Sequence, residues 1–179
     1  MKRNVLISMT FLFAALSTTP ATMADTGARQ VEKVERIGAA YDAGRFKEAR
    51  TLGIEACDTD PKFCIFPGMN YYKGEGGDRN HMIAASYFAK ACEGGYPRGC
   101  TLLGIVIEKD VSFEGEVINA DLPAARGAYA VACDGEEADG CFYLAMMHYK
   151  GEGGPTDESA ALKYFRKACL YGKNDACGI

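Results

Sequence analysis

The 179-residue chain carries eight cysteines, at positions 57, 64, 92, 100, 133, 141, 169 and 177. Thiols in such numbers suit three chemistries: a structural metal, a reactive nucleophile, or disulfides. They fall into four close pairs whose members stand 7, 8, 8 and 8 positions apart. Zinc sites favour pairs two to four apart, and no pair here has that spacing. The two histidines, His81 and His148, are too few for a histidine-rich zinc centre. Neither is expected to do chemistry: His148 reads as packed between helices, and His81, near a helix start, as exposed. A serine acyl-transfer site of the Ser-x-x-Lys kind needs base and nucleophile on one helical face. Ser86 and Lys90 are four apart, and no Lys-Thr-Gly, Ser-Asp-Asn, His-Glu-x-x-His, Gly-x-Ser-x-Gly or P-loop occurs. The Lys-Gly-Glu-Gly-Gly stretches at 73–77 and 150–154 resemble phosphate loops only in glycine content. Each follows a helical pattern and has glutamate at its centre, so each reads as a helix stop. No catalytic residue, metal ligand or cofactor is expected.

Composition sets the frame. Apolar residues make up 48% and charged residues 25%, with a net charge of −4, which argues for a globular domain and against a nucleic-acid surface. Residues 1–24 read as a cleavable signal peptide: a basic start at Lys2 and Arg3, an apolar run from Val5 to Leu16 too short to span a bilayer, and small residues before a cut after Ala24. No second run of spanning length follows. The remaining 25–179 carries 18 Lys and Arg against 24 Asp and Glu. A periplasmic or secreted location follows, and an oxidising compartment favours disulfides.

The cysteines also mark a repeat. First members of the pairs recur after 35, 41 and 36 residues, second members after 36, 41 and 36. Tyr72-Lys73-Gly74-Glu75-Gly76-Gly77 is identical to the stretch starting at Tyr149, and Tyr87-Phe88-x-Lys90-Ala91-Cys92 matches Tyr164-Phe165-x-Lys167-Ala168-Cys169. Both share the offset 77. Each unit reads as two antiparallel helices, with Asn80, Asp121 and Asp157 as N-caps of the second. Four pairs result, at about 29–57, 61–94, 97–135 and 138–171. The third carries an enlarged loop over Val111–Ala120. Pro67 stands where other units have Leu103 and Leu144, predicting a helix that kinks or starts late, near Phe66. A helix pair cannot bury its apolar face alone, so the fold class is all-α, a right-handed α-solenoid of stacked pairs. Only neighbour pairing gives every unit the same bond: Cys57–Cys64, Cys92–Cys100, Cys133–Cys141 and Cys169–Cys177. Each closes a loop worth about 2.5 kcal/mol in the chain-entropy model.

The pattern Gly140-Cys141-x-x-Leu144-Ala145-x-x-His148-Tyr149-x-Gly151-Glu152-Gly153, then Ala161-x-x-Tyr164-Phe165-x-Lys167-Ala168-Cys169, resembles the Sel-1-like repeat, a relative of the tetratricopeptide repeat. Cysteines eight apart at the junctions narrow the resemblance to the disulfide-rich Helicobacter cysteine-rich protein family. It covers about residues 31–177 and departs at Pro67, at the enlarged loop and in the very short tail after Cys177. The resemblance implies a scaffold for protein–protein contacts. It also brings two other activities described for such proteins: penicillin binding or weak β-lactamase action, and immunity to a secreted effector. A β-lactam or a peptidoglycan fragment is thus a possible ligand beside an unidentified protein or peptide.

In helical repeats of this kind the first helices line the concave face. The positions expected there are Met69, Tyr72 and Lys73; Ile105, Glu108 and Lys109; and Phe142, Met146, Tyr149 and Lys150. Met is an adaptable apolar contact, Tyr a rigid one, and Lys meets acidic groups. The apolar residues Phe113, Val117 and Ile118 of the enlarged loop form a second candidate contact.

Overall fold

A computed structural model describes the chain from residue 23 onward except 114 and 115; for 23–27, 111–113 and 116–118 it describes the backbone alone. The expected signal peptide lies almost wholly outside the described residues, and its cleavage site falls in the first turn of the first helix. Eight helices follow: α1 Met23–Asp42, α2 Phe46–Cys57, α3 Ile65–Lys73, α4 His81–Glu93, α5 Pro97–Ile107, α6 Leu122–Asp134, α7 Ala138–Lys150 and α8 Glu158–Leu170. They form four hairpins, α1/α2 to α7/α8, each packed on the next. The second helix of one unit meets the first helix of the following unit at three junctions.

Small residues set the spacing. Ala49 and Ala56, Ala84 and Ala91, Ala125 and Ala132, and Ala161 and Ala168 recur seven apart on the second helices and are all buried. Spaced two turns apart, they line one face and let helices approach closely. At the second and third junctions Gly99 and Gly140 meet that face. A Cβ there would lie 2.6 Å from the Ala91 methyl and 2.5 Å from the Ala132 methyl. Between them the larger side chains Phe88, Tyr129, Leu144 and Phe165 fill the core.

The caps agree with the sequence reading. Asn80, Asp121 and Asp157 accept from the backbone N–H of Ile83, Ala124 and Ala160, each at 2.9 Å. Gly74 and Gly151 end α3 and α7 in the left-handed conformation, at φ 80° and 74°. Sequence did not single out Glu137, which caps α7 through Gly140 N–H at 2.6 Å and also accepts from Thr101 at 2.6 Å. Pro67 goes with the late start: α3 begins at Ile65, one residue from the expected Phe66. A 3-10 turn over Pro61–Cys64 precedes α3, so Pro67 is the third residue of α3, where no intrahelical N–H bond is lost. The cysteines join in the four neighbour pairs, with Cα–Cα distances of 4.5, 4.6, 4.4 and 4.9 Å along the chain.

Two expectations need correction. The enlarged loop contains an antiparallel hairpin, β1 Val111–Phe113 with β2 Glu116–Ile118, Val111 facing Ile118. Alternating β-branched and aromatic residues around a Glu-Gly pair explain it. Its side chains, including Phe113, Val117 and Ile118, lie outside the described residues. His81 is half-buried rather than exposed, its ring 5.1 Å from that of Tyr72.

Candidate docking groove

Helices α3 and α7 carry the expected contact residues at matching positions in the second and fourth units; in the third, α5 ends at Ile107, so Glu108 and Lys109 stand just past it. Counted from Cys64, Cys100 and Cys141, the fifth residues are Met69, Ile105 and Met146, the eighth Tyr72, Glu108 and Tyr149, and the ninth Lys73, Lys109 and Lys150. None of these nine is fully buried. The structure gathers five of the ten expected residues into one cavity of about 300 Å³ between the third and fourth units: Glu108, Lys109, Phe142, Met146 and Lys150. Leu122, Tyr143, Met147 and Glu152 complete its walls. The other five lie elsewhere. Met69 and Tyr72 pack against the cluster of Ala84, Phe88 and Val106, and Ile105 packs against the core of the last two units. Lys73 sits beside Glu75 at 3.7 Å. Tyr149 shares a neighbouring cavity of about 460 Å³ with Met146, Leu162, Phe165 and Ile179.

Electrostatics divides the 300 Å³ cavity. Its apolar floor comes from Leu122, Phe142 and Met146. Two carboxylates and two ammonium groups stand around it. Glu108 is held from behind: the buried Tyr129 hydroxyl donates to its Oε2 at 2.8 Å. Burial, and then the bond to Glu108, raise the Tyr129 hydroxyl well above the ordinary 10.0, so it remains a donor. Lys150 lies 3.8 Å from Glu152. Lys109 has no ion-pair partner among the described residues. A floor of this kind with fixed charges of both signs suits an amphipathic polypeptide segment.

The glycine loops do more than stop helices. At the first junction the Arg50 guanidinium lies over the Tyr71 ring, 4.2 Å from its centroid, and donates to the Glu75 carbonyl through Nε at 3.1 Å and Nη2 at 2.8 Å. Tyr71 stacks on Tyr87 at 5.9 Å. Gly76 is pressed onto the start of α2; a Cβ would lie 2.5 Å from the Phe46 carbonyl oxygen. The third junction repeats the plan. Arg126 Nη2 contacts His148 Nδ1 at 2.6 Å, Nη1 donates to the Pro155 carbonyl at 3.4 Å, and the His148 ring packs, tilted, against Tyr164 at 5.3 Å. Gly153 packs onto the Leu122 carbonyl in the same way. These arginine clasps were not read from the sequence, although Arg50 and Arg126 recur at the offset 76 that relates Cys57 to Cys133.

Other chemistry is sparse. All eight cysteines are bonded, and among the described residues no group of three or more His, Cys, Asp or Glu could hold a metal ion. Ser86 Oγ donates to the Ile83 carbonyl at 2.8 Å, while Lys90 pairs across the junction with Asp58 at 3.2 Å, so the two side chains are engaged separately. No described helix is long and apolar enough to cross a membrane.

Comparison with known proteins agrees with the geometry. The Sel1 repeat model matches residues 68–96 and 138–170. Cytochrome c oxidase assembly factor 7 of Xenopus tropicalis is 34% identical over 159 residues, covering 83% of this chain and 64% of that protein. The structure of Helicobacter pylori cysteine rich protein B superposes with a TM-score of 0.59 at 30% identity, over 74% of this chain and 95% of that one. A Sel1 repeat protein from Oxalobacter formigenes gives a TM-score of 0.68 at 26% identity, over 82% of this chain and 57% of its own.

Proposed function

The chain belongs to the Sel1-repeat family, and from that premise we propose that it is an exported, disulfide-stapled scaffold that binds another protein along the groove between its third and fourth units. The coarser part of this reading follows from the family, whose repeats mediate protein–protein contacts. Four disulfides, together with the likeness to a Helicobacter cysteine-rich protein, support a location outside the reducing cytoplasm. The groove assignment rests on one observation. The equivalent residues Lys109 and Lys150 of the third and fourth units converge, with Glu108, Phe142 and Met146, on a cavity with an apolar floor and fixed charges.

Rigid staples serve such a role. The units are held in register before binding, so little ordering accompanies docking. The partner presents an apolar segment bearing both charges, a cation toward Glu108 and a carboxylate toward Lys150. The Xenopus relative is named for the assembly of an oxidase, and that likeness supports a client protein met during assembly as the kind of partner. β-Lactam hydrolysis and immunity to an effector remain family alternatives that no arrangement of described side chains supports.

Affinity capture from the envelope fraction tests the reading, with wild-type protein beside Met146→Asp and Lys150→Glu. The variants are expected to keep the wild-type melting temperature and to lose a captured protein. Equal capture by all three would remove the groove from consideration.

A further inference from the structure

The second junction, between α4 and α5, lacks the clasp that closes the other two. The arginine position is Ala85, and the ring positions Tyr71/Tyr87 and His148/Tyr164 become Ile107 and Ala128. The glycine loop is replaced by the β1–β2 hairpin. In the place of the clasp lies a pocket of about 210 Å³. Its walls are Met82, Ala85, Val106 and Ile107, with Lys109 and Asp121 among the polar residues around it.

The lysine beside this pocket lacks the loop glutamate of its counterparts. Lys73 and Lys150, the counterparts of Lys109, each have the glutamate of their own loop 3.7 and 3.8 Å away. Lys109 has no such glutamate, since position 111 is Val. Of the described acids nearby, Asp121 Oδ1 accepts from Ala124 N–H at 2.9 Å, Asp110 Oδ1 from Ala120 N–H at 2.8 Å, and Glu108 Oε2 from the Tyr129 hydroxyl at 2.8 Å. Lys109 is exposed and has no ion-pair partner among the described residues.

We infer that this pocket is a second docking site, which takes an apolar side chain of a partner polypeptide while an adjacent carboxylate of the same segment pairs with Lys109. The two features lost from this junction, a long side chain filling the space and a glutamate beside the lysine, are the two the partner restores. Met82, 52% exposed, supplies an adaptable wall for the incoming group. Lys109 also lines the groove of the third and fourth units, so one extended segment can reach both sites. The inference takes from the scaffold reading only that the ligand is a polypeptide.

The test uses the folded, oxidised chain and a synthetic peptide, acetyl-Gly-Ser-Phe-Glu-Ser-Gly-amide, with two controls in which Phe becomes Ser or Glu becomes Lys. Methyl NMR is the readout. The peptide is expected to shift the methyl signals of Met82, Ala85 and Val106, and each control to bind about tenfold more weakly or worse. Lys109→Glu, an exposed change, is expected to weaken binding about tenfold and to restore affinity for the Glu-to-Lys control. Ala85→Leu, which fills the pocket, is expected to remove the shifts. Shifts confined to the Met146 methyl would assign the peptide to the other groove and overturn this site while sparing that one. No shift at any methyl, or equal binding of all three peptides, would also overturn it.

Discussion

The first and third junctions carry the same clasp over different floors. In both, an arginine from a second helix reaches the loop after the next first helix and contacts a ring that itself packs against a tyrosine. At the first junction that ring is Tyr71 and the residue before it is Asn70; at the third they are His148 and Met147. Asn70 and Met147 are both buried, at 0% and 2% exposure. Met147 is apolar and packs in the largest core cluster. Asn70 has no hydrogen-bond partner among the described residues for either side-chain amide atom, and neither has Glu75 Oε2. The comparison teaches that arginine, ring and glycines specify how units join, while the floor beneath sets what the joint costs. The polar cluster at the first junction extends to Tyr41, whose hydroxyl is pushed up to about 12 by burial and then by Glu75, with Arg50 acting against them.

Exchanging the floors gives the largest expected effect. Met147→Asn should lose about 3 kcal/mol, because it deletes packing and buries an amide without partners. Asn70→Met should gain about 1–2 kcal/mol by removing that amide. Urea titrations of the two variants measure both. A destabilised Asn70→Met would mean the amide is satisfied in solution and the contrast between floors is wrong.

The arginines come next. Arg50→Ala should lose about 2 kcal/mol, since two bonds to the Glu75 carbonyl and the stack on Tyr71 go together. Arg126→Ala should lose about 1 kcal/mol, its one carbonyl bond being long at 3.4 Å. Equal losses would show that the ring contact alone carries the clasp. A larger loss at Arg126 would reverse the ranking.

Legibility in the sequence followed range. Caps, helix stops and the cysteine pairs act within about nine residues and recur in each unit, so Asn80, Gly74 and Cys92–Cys100 could be placed from pattern. Pro67 was legible for the same reason: proline is tolerated only in a first turn, so the late start near Phe66 followed from it, and at the third position of α3 it costs no bond. The clasps were hidden by arithmetic. The first cysteine pair is one residue closer than the others, so helix α2 relates to α6 by 76 positions while the loops relate by 77. A search at one offset misses Arg50 and Arg126. The Tyr129 bond to Glu108 depends on how α5 crosses α6, which no local pattern encodes. Convergence of Phe142 with Glu108 into one cavity has the same origin, whereas the repeated Met, Tyr and Lys positions on the first helices were visible as spacing.

The smallest expected effect separates the two rings. Burial, and then the Arg126 guanidinium, hold the His148 imidazole below its ordinary 6.5, with Asp157 acting in the opposite sense. The folded chain therefore binds this proton less readily than the unfolded chain does. Stability from this group is complete above the ordinary value and is lost as pH falls through the lowered one. Tyr71 at the first junction has no imidazole nitrogen to protonate. His148→Tyr thus converts the third clasp to the form of the first and should flatten the acid side of the melting curve. Carboxylates contribute equally to both proteins, so the difference between their melting temperatures from about pH 8 to pH 5 isolates the ring. The gap is expected to widen in favour of His148→Tyr on acidification. Parallel curves would show that protonated imidazole is accommodated beside Arg126 and that the two clasps respond alike to pH.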